Sequence, residues 1–173
     1  VARLACSFFR VALRPGGDGV QIFPPTLKEG VMKIRNNPRN NSILVYISSA
    51  REYGQTPEEI IQICSRQENF NFHIFLGQGE VCDSKKPLNP NIYIYKHGDP
   101  RFDEIMQECL GMISTAGHSL LSEAMYLGIP IYAIPVSPYE QHMNAMIIDK
   151  NNFGIAYHKI DFEKLAEFIV NIP

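Results

Sequence analysis

The 173-residue chain has no apolar run approaching the ~20 residues of a membrane span, so no segment of it reads as a bilayer-crossing helix. It has no surplus of charge: 16 Lys+Arg stand against 18 Asp+Glu, a net charge of -2, which argues against a strongly basic nucleic-acid binder. Its four cysteines, Cys6, Cys64, Cys82 and Cys109, form no CxxC pair and no His/Cys cluster. A zinc site or a disulfide framework is therefore not expected, and a reducing, cytoplasmic compartment is. There is no DxD acidic pair, no internal repeat, no low-complexity tract and no signal peptide. The first residue is Val1 rather than Met, and the chain reads as a fragment of something longer. What remains is ordinary globular composition, 45% apolar and 20% charged, on a chain long enough for one domain with a buried core.

Residues 1–42 are irregular. An apolar stretch, Leu4 to Leu13, runs into the loop Arg14–Gly19. Gln21-Ile22-Phe23 then meets Pro24-Pro25, which cannot continue a central strand, and Asn36-Asn37-Pro38-Arg39-Asn40-Asn41 is a polar turn. We read this segment as a linker, or the end of a missing N-terminal half, and residues 43–173 as the domain proper. From Ile43 the pattern is regular. Strands are expected at 43–47, 71–76, 91–95, 110–114, 129–134 and 154–157. Helices are expected at about 56–67, 101–109, 119–127, 139–150 and 161–170. Thr56-Pro57-Glu58-Glu59 carries the signals of a helix start, and Gly128 those of a helix end. Strands alternating with helices predict an α/β fold, Rossmann-like, with three α/β/α layers around a parallel sheet.

In such a sheet ligands bind beyond the carboxyl ends of the strands, where loops enter helices. Ser114-Thr115-Ala116-Gly117-His118-Ser119 is the most informative loop of that kind. Its small residues and Gly117 let a ligand approach the backbone, and the helix that follows presents free N–H groups suited to a diphosphate, to which His118 and Ser119 add side-chain donors. Glu123 lies one turn beyond Ser119 on the same helix face, ~6 Å along the axis. There a carboxylate can accept hydrogen bonds from vicinal hydroxyls, as on a ribose. The same residues also fit an ordinary tight turn and a solvated glutamate. Further on, Glu140 and Gln141 open a helix at the same sheet edge. They can bind sugar hydroxyls, although an acid in a first helical turn is also common for its dipole interaction alone.

Taken together, Ser114 to Ala145, STAGHSLLSEAMYLGIPIYAIPVSPYEQHMNA, resembles the donor-binding signature of GT-B glycosyltransferases. The resemblance is to the inverting branch that includes the peptidoglycan N-acetylglucosaminyltransferase and the UDP-glycosyltransferases of plants. Its elements stand here as Gly117, Glu123, Gly128-Ile129-Pro130, Pro135, Glu140-Gln141 and Asn144-Ala145. The resemblance implies one half of a GT-B fold. It implies that Gly117, His118 and Ser119 hold the donor diphosphate, that Glu123 binds the ribose, and that Glu140 and Gln141 contact the transferred sugar. Phe102 stands where relatives place a residue beside the base, and it equally fits a core anchor for its helix. The implied partner is a nucleoside-diphosphate sugar, uridine-linked in most of the resembling group, with a cell-envelope polysaccharide as acceptor by analogy. No cofactor and no metal are implied, because helix and backbone contacts replace Mg²⁺ at the leaving diphosphate. The acceptor-activating base belongs to the N-terminal half in this family, so no catalytic base is assigned here and this fragment alone is expected to be inactive. That half is either the rest of the chain or a separate, membrane-associated acceptor subunit. Two departures are Thr115, where the plant signature has a histidine, and His118, where it has a tryptophan. The loop Ser48–Gly54 also lacks a double glycine, and Arg51 in it is a candidate phosphate clamp. The other readings are half of a nucleotide-sugar 2-epimerase, a non-catalytic nucleotide-sugar binding module and one subunit of a split glycosyltransferase.

Overall fold

The computed structural model describes residues 10–13, 20–23, 25–33, 38–48, 54–77, 89–137 and 139–173. Strands β1 (Arg10–Leu13) and β2 (Val20–Phe23) pair antiparallel, and a short helix α1 (Glu29–Lys33) follows. The main sheet is built from β3 (Asn40–Tyr46), β4 (Asn71–Leu76), β5 (Ile92–Lys96), β6 (Cys109–Thr115), β7 (Ile131–Ile134) and β8 (Gly154–Ala156). The intervening helices are α2 (Pro57–Ser65), α3 (Arg101–Glu108), α4 (His118–Leu127), α5 (Glu140–Lys150) and α6 (Phe162–Val170). All six strands are parallel, in the order β5-β4-β3-β6-β7-β8. Counted from β3, that is the order 3-2-1-4-5-6, the doubly wound Rossmann arrangement, and it reverses direction between β3 and β6.

Alternation along the strands divides the core between the two faces. Ile43, Val45, Ile47, Phe72, Ile74 and Ile113 pack under α2 and α6, meeting Ile60, Ile61, Leu165 and Phe168. Leu44, Phe75, Met112 and Ala133 pack on the other side against Met106 of α3, Leu121 and Ala124 of α4, and Ile148 of α5. The side chains at the heart of both clusters are fully buried, each contributing ~1.5–3 kcal/mol of apolar burial. Cys64 and Cys109 lie within these clusters as free thiols, and burial pushes Cys109 up to about 12 and Cys64 further still.

Local signals set most boundaries. Thr56 and Glu59 form a reciprocal capping box: Glu59 N–H donates to Thr56 Oγ1 at 3.2 Å, and Thr56 N–H donates to Glu59 Oε2 at 2.9 Å. Asp161 caps α6 by accepting from the Glu163 and Lys164 amides. Gly128 ends α4 with φ 70°. Two boundaries differ from the sequence expectation for a visible reason. Strand β7 starts at Ile131 rather than Ile129, because Ile129 N–H is taken by Ala124 O at 2.9 Å in the helix-ending turn and Pro130 has no N–H to give. Strand β3 starts at Asn40 rather than Ile43, where the Asn40 amide donates to Glu108 Oε2 at 3.1 Å. Gly154 has φ 151°, and a Cβ there would overlap the Ile131 carbonyl, so the approach of β8 to β7 requires glycine.

Candidate functional site

The order reversal between β3 and β6 opens a crevice at their carboxyl ends. Thr115, at the end of β6, is buried and spans it: its hydroxyl donates to Ser48 Oγ at 3.1 Å. This is the position at which the plant signature has histidine, and here the side chain ties the two central strands together. Residues 49–53, Arg51 among them, lie outside the described residues.

From this edge the chain enters α4. Gly117 precedes the helix in an extended conformation (φ -73°, ψ 134°), and no side chain among the described residues caps the helix there. Its own N–H donates back to Thr115 O at 2.6 Å, so it offers space rather than a donor. Among the described residues, a Cβ at Gly117 would meet nothing nearer than Thr115 O at 3.8 Å. These residues therefore make no demand for glycine at this position. His118 is the first helical residue and is half-buried, while Ser119 beside it is exposed at the mouth of the crevice.

A cavity of about 370 Å³ opens at this end of the sheet, lined by Ser119, Leu120, Glu123, Phe102, Tyr46 and Lys28 among others. It brings together Ser119, Glu123 and Phe102, three residues singled out in the sequence. Glu123 is 4% exposed, and no hydrogen-bond donor reaches its carboxylate among the described residues. The carboxylate faces the cavity and is free to accept hydrogen bonds there. Its one ion-pair contact among the described residues is Lys28 Nζ, at 3.9 Å. Phe102 lines the cavity and anchors α3 as well, packing edge-on against Tyr46 at 5.4 Å and Phe75 at 5.0 Å. The core-anchor reading of Phe102 describes this packing, and the same ring also faces the cavity.

One wall of the cavity is stiff. Asp99 is bound by Arg101 through both carboxylate oxygens, at 2.6 and 2.9 Å, and also accepts the Arg101 N–H at 3.0 Å. These hydrogen bonds hold the Asp99 carboxyl at about 2, below the usual range. The guanidinium lies over Tyr95 at 4.5 Å, and Tyr95 OH contacts His73 Nδ1 at 3.0 Å, with Ser42 Oγ at 3.3 Å from the other ring nitrogen. Burial, and then the charge of Arg101, disfavours protonation of His73. His97 stacks on Tyr46 at 4.4 Å, and its Nε2 is buried without a hydrogen-bond partner among the described residues.

Gly117, His118, Glu140 and Gln141 do not line this cavity. Glu140 and Gln141 begin α5 on the neighbouring strand's edge, after Tyr139 at φ 66°. Gln141 is used locally: its Oε1 accepts from Val136 N–H at 2.7 Å and Ser137 N–H at 3.2 Å, closing the loop after β7. His142 Nδ1 contacts Ser137 O at 3.1 Å. Buried Asn144 of α5 ties that helix to the loop before α4, its Nδ2 donating to Ala116 O at 2.9 Å. The positioning function of Asn144 and the presence of Lys28 and Tyr46 in the cavity were not foreseen. Lys28 had no signal, being a single lysine in a segment read as a connection. Tyr46 could have been found as the last residue of the first strand of the sheet.

A larger cavity, about 520 Å³, lies at the opposite, amino edge of β7 and β8, lined by residues such as Pro130, Phe153 and Gly154. Ligand sites of this fold belong to the other edge, and Glu123 is there. Among the described residues no group of three His, Cys, Asp or Glu is placed to hold a metal ion, and no helix is long and apolar enough to cross a membrane.

The sequence profile described as glycosyl transferase family 1 matches residues 1–173. The chain belongs to glycosyl transferase family 1. No curated protein sequence matches it. Among solved structures, the chain is similar to the glycotransferase of kitacinnamycin, at 15% identity and TM-score 0.62 over 87% of this chain and 39% of that one. It is also similar to the spinosyn rhamnosyltransferase SpnG complexed with thymidine diphosphate, at 17% identity and TM-score 0.57 over 86% and 40%. SnogD of Streptomyces nogalater matches at 17% identity and TM-score 0.53 over 83% and 38%. The chain thus spans about two fifths of the length of these structures. For this family member, the carboxyl-edge cavity and the α4 N-terminus share one end of a Rossmann-like α/β domain.

Proposed function

We propose that this chain is the donor-binding half of an inverting glycosyltransferase that uses a nucleoside-diphosphate sugar, UDP-linked, without a metal ion. The observation that carries this reading is the Glu123 carboxylate: nearly buried, without a donor among the described residues, and facing a cavity it shares with Ser119 and Phe102. In this reading Glu123 accepts hydrogen bonds from the two ribose hydroxyls, which supply the donors it lacks. Phe102 lies against the base. The diphosphate sits at the start of α4, close to Gly117, and takes hydrogen bonds from the first-turn N–H groups and from His118 and Ser119. Peptide dipoles there stabilise the charge that grows on the leaving diphosphate as the glycosidic bond breaks. Glu140 and the Nε2 side of Gln141 contact the transferred sugar, the Gln141 oxygen being held by the loop.

The proposal takes residues 43–173 as the donor domain and 1–42 as the connection from an acceptor half that supplies the catalytic base. The matched structures, more than twice as long as the share this chain covers, are consistent with such a half. SpnG, which carries thymidine diphosphate, supports a nucleotide ligand for the fold. A cytoplasmic location, supported by the free buried thiols, and a cell-envelope polysaccharide acceptor complete the reading.

Calorimetric titration with UDP, UDP-N-acetylglucosamine, GDP and TDP tests it. The expected result is selective binding of the uridine ligands that Glu123→Ala weakens. Failure of all four to bind the folded chain would refute the reading.

A further inference from the structure

Lys28 belongs to no element of the glycosyltransferase signature, yet its ammonium sits in the Glu123 cavity. Nζ is 3.4 Å from Asp103 Oδ1, 3.9 Å from Glu123 Oε2 and 5.6 Å from the centre of the Phe102 ring. At 3.9 Å the contact with Glu123 is a charge pair and not a hydrogen bond, which needs an approach closer by ~1 Å. The competing partner is a solvent-exposed carboxylate: the Asp103 side chain is 59% exposed and that of Lys28 57%. Exposed pairs of this kind contribute little, and a lysine ammonium on its flexible stem gives one up readily. Lys28 is thus a donor held in reserve beside one oxygen of a buried carboxylate.

A ribose brings two vicinal hydroxyl donors, one for each Glu123 oxygen. A 2′-deoxyribose brings one, and in a buried site the second oxygen would stay unpaired, the situation in which polar sites discriminate strongly. Resting on the reading that Glu123 holds the nucleoside sugar, we propose that Lys28 is a specificity-determining residue. By moving onto Glu123 Oε2 in place of the absent 2′-hydroxyl, it lets the site accept 2′-deoxyribonucleoside diphosphates as well as ribonucleoside diphosphates. Asp103, released by that movement, remains solvated.

The test is calorimetric titration of the full chain with UDP and with 2′-deoxyuridine diphosphate, which differ in one hydroxyl. The parent is expected to bind the two within about fivefold of each other, the missing hydroxyl being replaced by Lys28. Lys28→Met should weaken the deoxy ligand at least about tenfold more than UDP, and Lys28→Arg should keep the parent's ratio. A merely structural role would lower both affinities and the melting temperature together, leaving the ratio alone. A parent that already rejects the deoxy ligand about 100-fold, or an unchanged ratio in Lys28→Met with UDP still bound, overturns the assignment of Lys28. If the folded parent binds neither ligand, the nucleotide reading of Glu123 falls, and this proposal with it.

Discussion

Glu123→Gln should weaken binding and leave the ligand-free fold little changed. Glu123 is 4% exposed, its carboxylate faces the cavity, and its one ion-pair contact among the described residues is Lys28 at 3.9 Å. The pairing lost with exposed Lys28 is worth ~0–1 kcal/mol, and Lys28 keeps its contact with Asp103. Gln matches Glu in size and helix propensity, so packing in α4 is unchanged. The net expectation is a ligand-free stability within about 1 kcal/mol of the parent, a Tm shift of no more than about 4 °C. UDP binding should weaken by about 10- to 150-fold, since a charge-assisted hydrogen bond worth ~1.5–3 kcal/mol is lost to the amide. At a UDP concentration of about 100 Kd of the parent, the parent gains ~2.7 kcal/mol by mass action and the variant only about 0.3–1.4 kcal/mol, so UDP should raise the parent's Tm by more than the variant's. Thermal unfolding with and without UDP, beside a titration, reads both effects. An unchanged affinity, or an equal rise in Tm with UDP in both proteins, would refute the argument that this carboxylate holds a ligand.

Three further outcomes are expected. Gly117→Ala should fold with stability unchanged or raised by up to about 1 kcal/mol, because φ is -73° and the new methyl meets nothing nearer than 3.8 Å among the described residues. Yet it should weaken UDP and leave uridine binding intact, and equal weakening of both would count against a diphosphate at this loop. Asn144→Ala removes the buried donor to Ala116 O and should destabilise the fold by ~1–3 kcal/mol by denaturant titration, loosening the loop before α4 with it; a loss under ~0.5 kcal/mol would show that the tie is dispensable. Asp99, held at about 2 by Arg101, stabilises the fold above its ordinary pKa of ~3.9, and that contribution is lost as pH falls towards 2. The Tm advantage of the parent over Asp99→Asn should therefore be constant above about pH 5 and shrink steadily as pH falls from about 4 through 2, and a difference with no pH dependence between about pH 5 and 2 would contradict the pairing.

Much of the fold was legible because its causes are local. The Thr56–Glu59 capping box, the Asp161 cap and the Gly128 turn act within a few residues, and the strand periodicity of Ile43–Ile47 is visible without a partner. Part of the cavity lining was legible in the same way. Ser119 and Glu123 are one helical turn apart, so their sharing of a cavity follows from helix geometry. Gln141 shows where that reasoning weakens. A glutamine opening a helix at the ligand edge reads as a sugar contact, but its oxygen folds back onto the Val136 and Ser137 amides, which need an acceptor as β7 ends.

By itself the sequence determined the layer architecture, the helix starts and the Gly117–Glu123 stretch, since these depend on propensity, periodicity and hydrogen bonds between near neighbours. Only the tertiary structure decided what surrounds Glu123. Lys28 reaches it from 95 residues away. Thr115 meets Ser48 across 67 residues, Gln55 exchanges two hydrogen bonds with Ile160 across 105, and Asn144 reaches Ala116 across 28. Such pairs carry no periodic trace in the chain. Each exists because the order of the parallel strands sets distant residues side by side, where buried polar groups must find one another or remain unpaired.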